Sequence, residues 1–299
     1  MILLTAMTSD GPCLGVKTSA GVLVLDRARL QADDPRTIEE ALLTPDGLSR
    51  VRKVLRTKFR SAQTVAKHSV PEAQCRLGPL FRPRNLLAIG LNYKDHAAEG
   101  GVPLPEKPVV FAKLTGSVIG PGEPIVLPPD TAEVDYEAEL AVVIGRPCRG
   151  VSAAEALDYV AGYTCANDVS ARDFQRGDGQ WVRAKSQDTF GPMGPYLVTP
   201  EDIPDPQSLQ IRCWVNGNLL QDSNTSLMIF SVRDLIAFIS RGITLQPGDV
   251  ISTGTPNGVG FARKPPVFLH DGDLVKIGIE RIGTLANPVQ AAPVRESAP

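Results

Sequence analysis

The segment Glu133-Val-Asp-Tyr-Glu-Ala-Glu-Leu-Ala-Val-Val-Ile144 alternates between two kinds of side chain. Read as an extended strand, it puts Val134, Tyr136, Ala138 and Leu140 on one face and Asp135, Glu137 and Glu139 on the other, because successive side chains point to opposite sides. At a rise of ~3.3 Å per residue, the Cα atoms of Glu137 and Glu139 lie about 6.6 Å apart, close enough for two flexible carboxylates to close on one cation. The same alternation also suits a strand whose acidic face simply meets water. A third carboxylate bears on that choice. Asp168 follows the weakly polar run Val160-Ala-Gly-Tyr-Thr-Cys-Ala-Asn167, where an isolated charge is costly to bury without a cation or several donors. Three carboxylates with little sulfur or imidazole nearby favour a hard ion, Mg²⁺ first and Mn²⁺ or Ca²⁺ next. Spacing alone does not say whether Asp168 meets the two glutamates.

Outward from this strand, β patterns recur with tight turns and helices are few, so the expected fold class is α+β and β-rich. Leu209, Ile211, Cys213 and Val215 alternate with polar residues and run into Asn216-Gly217, a pair that tolerates positive φ and predicts a hairpin. Ser152-Ala-Ala-Glu155 and Ser231-Val-Arg-Asp234 carry helix-start signatures. Near the N-terminus, strands are expected around Ile2 to Ala6, Leu14 to Lys17 and Val22 to Leu25, then a helical pattern from Ile38 through Arg60. Gly78-Pro-Leu-Phe-Arg-Pro83 interrupts the pattern and marks a boundary. The expected organisation is a small α/β cap over residues 1–78, a catalytic domain over 79–290 and a flexible tail over 291–299.

Composition excludes several classes of function. The 31 basic and 33 acidic residues nearly cancel, so nothing draws the chain globally to nucleic acid or an anionic membrane. The basic run from Arg50 to Arg60 has its apolar residues Val51, Val54, Leu55 and Phe59 on one stripe, which reads as a helix with a solvated charged face. Five scattered cysteines form no C-x-x-C, so neither a disulfide framework nor a zinc site is indicated and a cytoplasmic location is expected. No stretch approaches the ~18 apolar residues of a membrane span.

Five motifs in one order, Gly90-Leu-Asn-Tyr-Lys-Asp-His-Ala-Ala-Glu99, Asp135-Tyr-Glu-Ala-Glu-Leu140, Asn167-Asp-Val-Ser-Ala-Arg-Asp-Phe-Gln175, Ala184-Lys-Ser186 and Thr253-Gly-Thr-Pro-Asn-Gly258, resemble the fumarylacetoacetate hydrolase family over residues 80 to 290. The resemblance implies a mixed β-roll catalytic domain with a small variable N-terminal domain, usually as a homodimer. It implies that Glu137, Glu139 and Asp168 are the metal ligands, with Lys185 close to the metal-bound substrate. His96 and Glu99 correspond to a water-activating H-x-x-E pair on a lid that orders as a short helix; a spacing of three puts both on one helical face. Arg172, Gln175 and Thr255 resemble substrate contacts, Arg offering the planar fork that suits a carboxylate. The glycines near Thr255 do not make a nucleotide cradle, since the Gly-Lys-Ser/Thr ending is missing. Leu91 departs from acylpyruvate-hydrolysing relatives, some of which carry Arg there.

The implied chemistry is a metal-stabilised enolate of a small 2-oxo or 2,4-dioxo acid. Hydrolysis of a C–C bond in an acylpyruvate-like substrate is the leading expectation. Tautomerisation or decarboxylation of oxaloacetate, or isomerisation of a hydroxydienoate, would use the same enolate. The stretches Arg263-Lys-Pro-Pro-Val-Phe-Leu269 and Gly191-Pro-Met-Gly-Pro195 are similar to a branch that includes oxaloacetate tautomerases. A reading of another class is a noncatalytic, metal-dependent 2-oxo acid binding protein, against which stands the presence of both His96 and Glu99.

Overall fold

A computed structural model of the chain describes residues 1–25 and 30–293; most of the expected tail, 294–299, lies outside them. The fold is α+β and β-rich. Its largest sheet has eleven strands. From one edge it runs Ser69–Val70, Gly21–Leu25, Gly11–Thr18, Ile2–Thr8, Gly191–Val198, Val160–Asn167, Ala138–Ile144, Val250–Ser252, Leu86–Gly90 and Val109–Lys113, with Val118–Ile119 paired alongside Gly191–Val198. A second sheet orders Asn218–Asn224, Gln210–Val215, Leu274–Ile279, Gly283–Ala291 and Ile125–Leu127. The three N-terminal strands fall within a few residues of their expected places. They extend the same sheet as the strands from residue 79 onward, Ile2 pairing with Val198.

The Ala138–Ile144 strand is buried along its whole length. Ala138, Leu140, Val142 and Ile144 enter one apolar core with Ile211, Ile277 and Leu235, while Ala141 and Val143 enter a second with Leu3, Leu23, Val51 and Val54. Burial on both faces explains its run of apolar residues. Glu137 and Glu139 are therefore not on a water-facing side: they are 5% and 1% exposed. Nor is Glu133–Ile144 one strand. Val134–Asp135 pairs separately with Ser170–Ala171. Between the two pieces side chains replace the ladder: the Tyr136 N–H donates to Asp135 Oδ1 at 2.8 Å, that of Glu137 to Asn167 Oδ1 at 3.0 Å, and that of Ala138 to Gln221 Oε1 at 2.9 Å.

The helical pattern over 38–60 is two helices, Ile38–Leu43 and Gly47–Lys58, because Pro45 cannot continue the first. The hairpin turns on Asn216 and Gly217 at φ 52° and 81°, as their tolerance of positive φ requires. Ser152 does not start an α-helix. Its hydroxyl donates to Glu155 at 2.6 Å, but the chain makes only a single 3₁₀ turn at Ala156–Tyr159 before the strand Val160–Asn167 begins. Ser231 does cap Val232–Ser240 through a reciprocal box with Asp234. Ser231→Ala should cost about 1 kcal/mol in urea unfolding; an unchanged midpoint would show that the buried face alone holds this helix.

Candidate active site

The strand ends gather the predicted carboxylates. Glu139 lies in Ala138–Ile144, Glu137 immediately before it, and Asp168 immediately after the adjacent strand Val160–Asn167. The Asp168 N–H donates to Glu137 O at 2.9 Å, fixing the two loops together. One oxygen of each of Glu137, Glu139 and Asp168 lies within 4.8 Å of the others, and all three residues are buried.

Cations offset only part of this charge. Lys185 Nζ donates to Glu137 Oε2 at 2.7 Å and to Asp168 Oδ2 at 2.8 Å. Lys113 Nζ, equally buried, donates to Asp168 Oδ1 at 2.5 Å. Burial would raise the Glu137 carboxyl, but Lys185 and Arg172 more than reverse this and hold it below the usual range. Among the described residues, no ammonium or guanidinium bonds Glu139. It accepts from Ser252 Oγ and, at 3.0 Å, from the Gly254 N–H. Burial, with Asp168 and Glu137 as like-charged neighbours, pushes its pKa well above the ordinary value. Three oxygen donors converging from buried carboxylates, one of them not bonded to a cationic side chain among the described residues, suit a hard divalent cation.

Next to this cluster is a cavity of about 370 Å³ lined by residues that include Leu91, His96, Gln175, Trp181, Thr255 and Phe261. The structure brings all nine sequence-predicted residues to this region. His96 and Glu99 share the helix Lys94–Gly100, with His96 Nδ1 at 3.3 Å from Glu99 Oε2. The carboxyl of Glu99 is held below its ordinary value, because bonds from His96 and the Gly258 N–H outweigh the effect of burial. Thr255 Oγ1 accepts from Gln221 Nε2 at 2.9 Å, and its O–H donates to no group among the described residues.

Arg172 is held mainly by protein groups. Its Nε donates to Asp135 Oδ2 at 2.9 Å and its Nη1 to Gln175 Oε1 at 2.9 Å. Nη2 stands 2.7 Å from Glu137 Oε1, an ion pair without hydrogen-bond alignment.

Several contributors were not visible in sequence. Lys113 closes the apolar run Val109-Val-Phe-Ala and reads there as a surface lysine. Gln221 sits in an ordinary hairpin strand, yet it bonds both the Ala138 N–H and Thr255. Asp135 reads as part of an acidic face, but it accepts from Arg172 and the N–H groups of Gly260 and Phe261. Only contact across sheets reveals these roles.

Residues 85–290 match the fumarylacetoacetate (FAA) hydrolase C-terminal family, and this chain belongs to it, as an enzyme. It is 44% identical over 286 residues to a mitochondrial oxaloacetate tautomerase of Bos taurus, covering 93% of this chain and 88% of that protein. A mitochondrial oxaloacetate tautomerase of Xenopus laevis is 42% identical over 294 residues, with 97% and 90% covered. Among solved structures, the 2-hydroxyhepta-2,4-diene-1,7-dioate isomerase of Mycobacterium marinum superposes with a TM-score of 0.75 at 39% identity, covering 98% of this chain and 100% of that one. No helix among the described residues is long and apolar enough to cross a membrane.

Proposed function

We propose that this enzyme acts on small 2-oxo acids through their enolates, with tautomerisation of oxaloacetate as its first activity and C–C hydrolysis of an acylpyruvate-like acid as the second reading. The observation that carries the proposal is the convergence of three buried carboxylates beside two buried lysines and a histidine-lined cavity. The names of the relatives put tautomerisation ahead of hydrolysis, which sequence alone had ranked first. They also leave the noncatalytic reading without support.

A divalent cation held by Glu137, Glu139 and Asp168, Mg²⁺ first and Mn²⁺ or Ca²⁺ next, supplies the Lewis acidity that stabilises an enolate's charge. The protein's own groups do the rest. Glu99 at Nδ1 fixes the His96 tautomer and leaves Nε2 basic. In tautomerisation, Nε2 takes a proton from C3 of the keto form and returns it to the 2-oxygen of the resulting enolate, and loss of the enol runs the same two transfers in reverse. In hydrolysis the same nitrogen takes a proton from water attacking C4, which favours retaining this second reading. Lys185 places positive charge beside the developing oxygen. The Thr255 hydroxyl is assigned to a substrate carboxylate oxygen, and Arg172, whose fork Gln175 orients and whose Nη2 lies buried beside Glu137, adds positive charge next to it.

The functional unit is proposed as a homodimer, on the family resemblance. A reducing compartment, whether cytoplasm or mitochondrial interior, accords with five free cysteines.

The test is an absorbance assay of oxaloacetate enol and of several acylpyruvates with Mg²⁺, then with chelator, then with Mg²⁺ restored. Loss of enol faster than the uncatalysed rate, abolished by chelator and regained with Mg²⁺, is the expected result. Saturating Mg²⁺ without acceleration of any of these substrates would remove the proposal.

A further inference from the structure

The loop from Gly258 to Arg263 touches the lid helix and the carboxylate floor at once. Toward the lid, the Gly258 N–H donates to Glu99 Oε1 at 2.9 Å. The Phe261 ring meets the His96 imidazole edge to face, with centroids 6.5 Å apart and planes at 80°. Toward the floor, the N–H groups of Gly260 and Phe261 donate to Asp135 Oδ1 and Oδ2 at 2.7 and 3.1 Å. The guanidinium of Arg172 lies over the Phe261 ring, 4.5 Å from its centroid.

This loop has little room to shift. Arg263 Nε donates to Tyr136 Oη and to Gly258 O, both at 3.2 Å, and its Nη2 donates to Leu220 O. A Cβ on Gly258, at φ +92°, would stand 2.1 Å from Leu220 O, and one on Gly260 would stand 2.0 Å from Val267 O. The backbone is thus packed so closely that only glycine fits at either position. By contrast Phe261 is 40% exposed. Core burial does not account for a large apolar ring there; its specific contacts are with a chargeable imidazole and a guanidinium.

We propose that Phe261 is a positioning residue for the reaction, whose ring sets the tilt of the His96 imidazole and ties it to Arg172 beside Glu137. The inference rests on the reading of His96 as the proton-transfer group. Glu99 holds the imidazole at Nδ1 through a single long contact of 3.3 Å, a weak restraint on the ring's orientation. The aromatic neighbour packs against the imidazole and limits its tilt. The effect therefore falls on turnover more than on substrate binding.

Phe261→Leu keeps the loop's backbone bonds and removes the aromatic ring, whereas Phe261→Tyr keeps the ring. With Mg²⁺ and oxaloacetate enol, Phe261→Leu should lower kcat by about tenfold with KM little changed, and Phe261→Tyr should restore it. The chain has three histidines, so the ring C–H resonances of His96 are assigned by comparison with His96→Ala. In Phe261→Leu they should lose the ring-current displacement that Phe261→Tyr retains. This readout needs no turnover. Undisplaced resonances, wild-type kcat in Phe261→Leu, or equal losses in the leucine and tyrosine variants would each overturn the proposal. His96→Ala run alongside separates the two levels: full turnover there sinks the reading of His96 itself, while loss there with full turnover in Phe261→Leu sinks only the role of Phe261.

Discussion

Replacing His96 with alanine is expected to lower turnover by about 10² to 10⁴-fold, the range that a positioned acid–base group contributes. Affinity for Mg²⁺ and for oxalate, a planar mimic of the pyruvate enolate, should stay near that of the unmodified enzyme. The separation follows from geometry. His96 is on the lid helix and contacts Glu99 and Phe261, while the cation ligands stand on the strand ends beneath. Glu99→Gln should act in the same direction but more weakly, because an amide oxygen can still accept from the Gly258 N–H. Isothermal titration with oxalate, alongside the absorbance assay, checks both halves. Undiminished turnover in His96→Ala would take the dyad out of the chemistry.

Glu139→Gln and Asp168→Asn should both abolish tight cation binding, but only the second should unsettle the fold. Glu139 has no bonded cationic partner among the described residues, and its two donors, the Ser252 hydroxyl and the Gly254 N–H, are equally satisfied by an amide oxygen. Asp168 instead neutralises Lys113 and Lys185 together. Neutralising it leaves the Lys113 ammonium, at 2% side-chain exposure, without a carboxylate and Lys185 with Glu137 alone, a loss expected to cost about 3–5 kcal/mol. Urea unfolding with chelator present isolates this term from the cation's own contribution. Equal stability of the two variants would mean that the lysines find other partners. Cation affinity unchanged in both would contradict the triad.

The sequence carried the chemistry of the site further than its geometry. Three acidic positions, the His96–Glu99 spacing and Lys185 were readable because each sits in a short motif. Their convergence was not, since Asp168 meets Glu137 only through the pairing of Ala138–Ile144 with Val160–Asn167. The exposed acidic face suggested by alternation failed for a related reason. Alternation shows which side chains share a face, but whether that face meets water depends on what packs there. Ser152 showed that a capping signature needs room: its serine–glutamate contact formed, but the next strand begins too soon for a helix. Pro45 was the overlooked signal that splits the helical pattern over 38–60. The hairpin at Asn216-Gly217 was fully legible, because backbone stereochemistry alone dictates it.

The sheet order has a kinetic corollary. Neighbouring strands come from remote parts of the chain: Ile2 lies beside Val198, and Leu86 beside Val250. Closing such long loops before any contact rewards them makes assembly slow. The oxygen cage belongs to the same late event, since Glu137 and Asp168 are in register only once the central strands have docked. A bound cation therefore staples the finished sheet and lends nothing to its early fragments, so its stabilisation should be felt chiefly as slower unfolding.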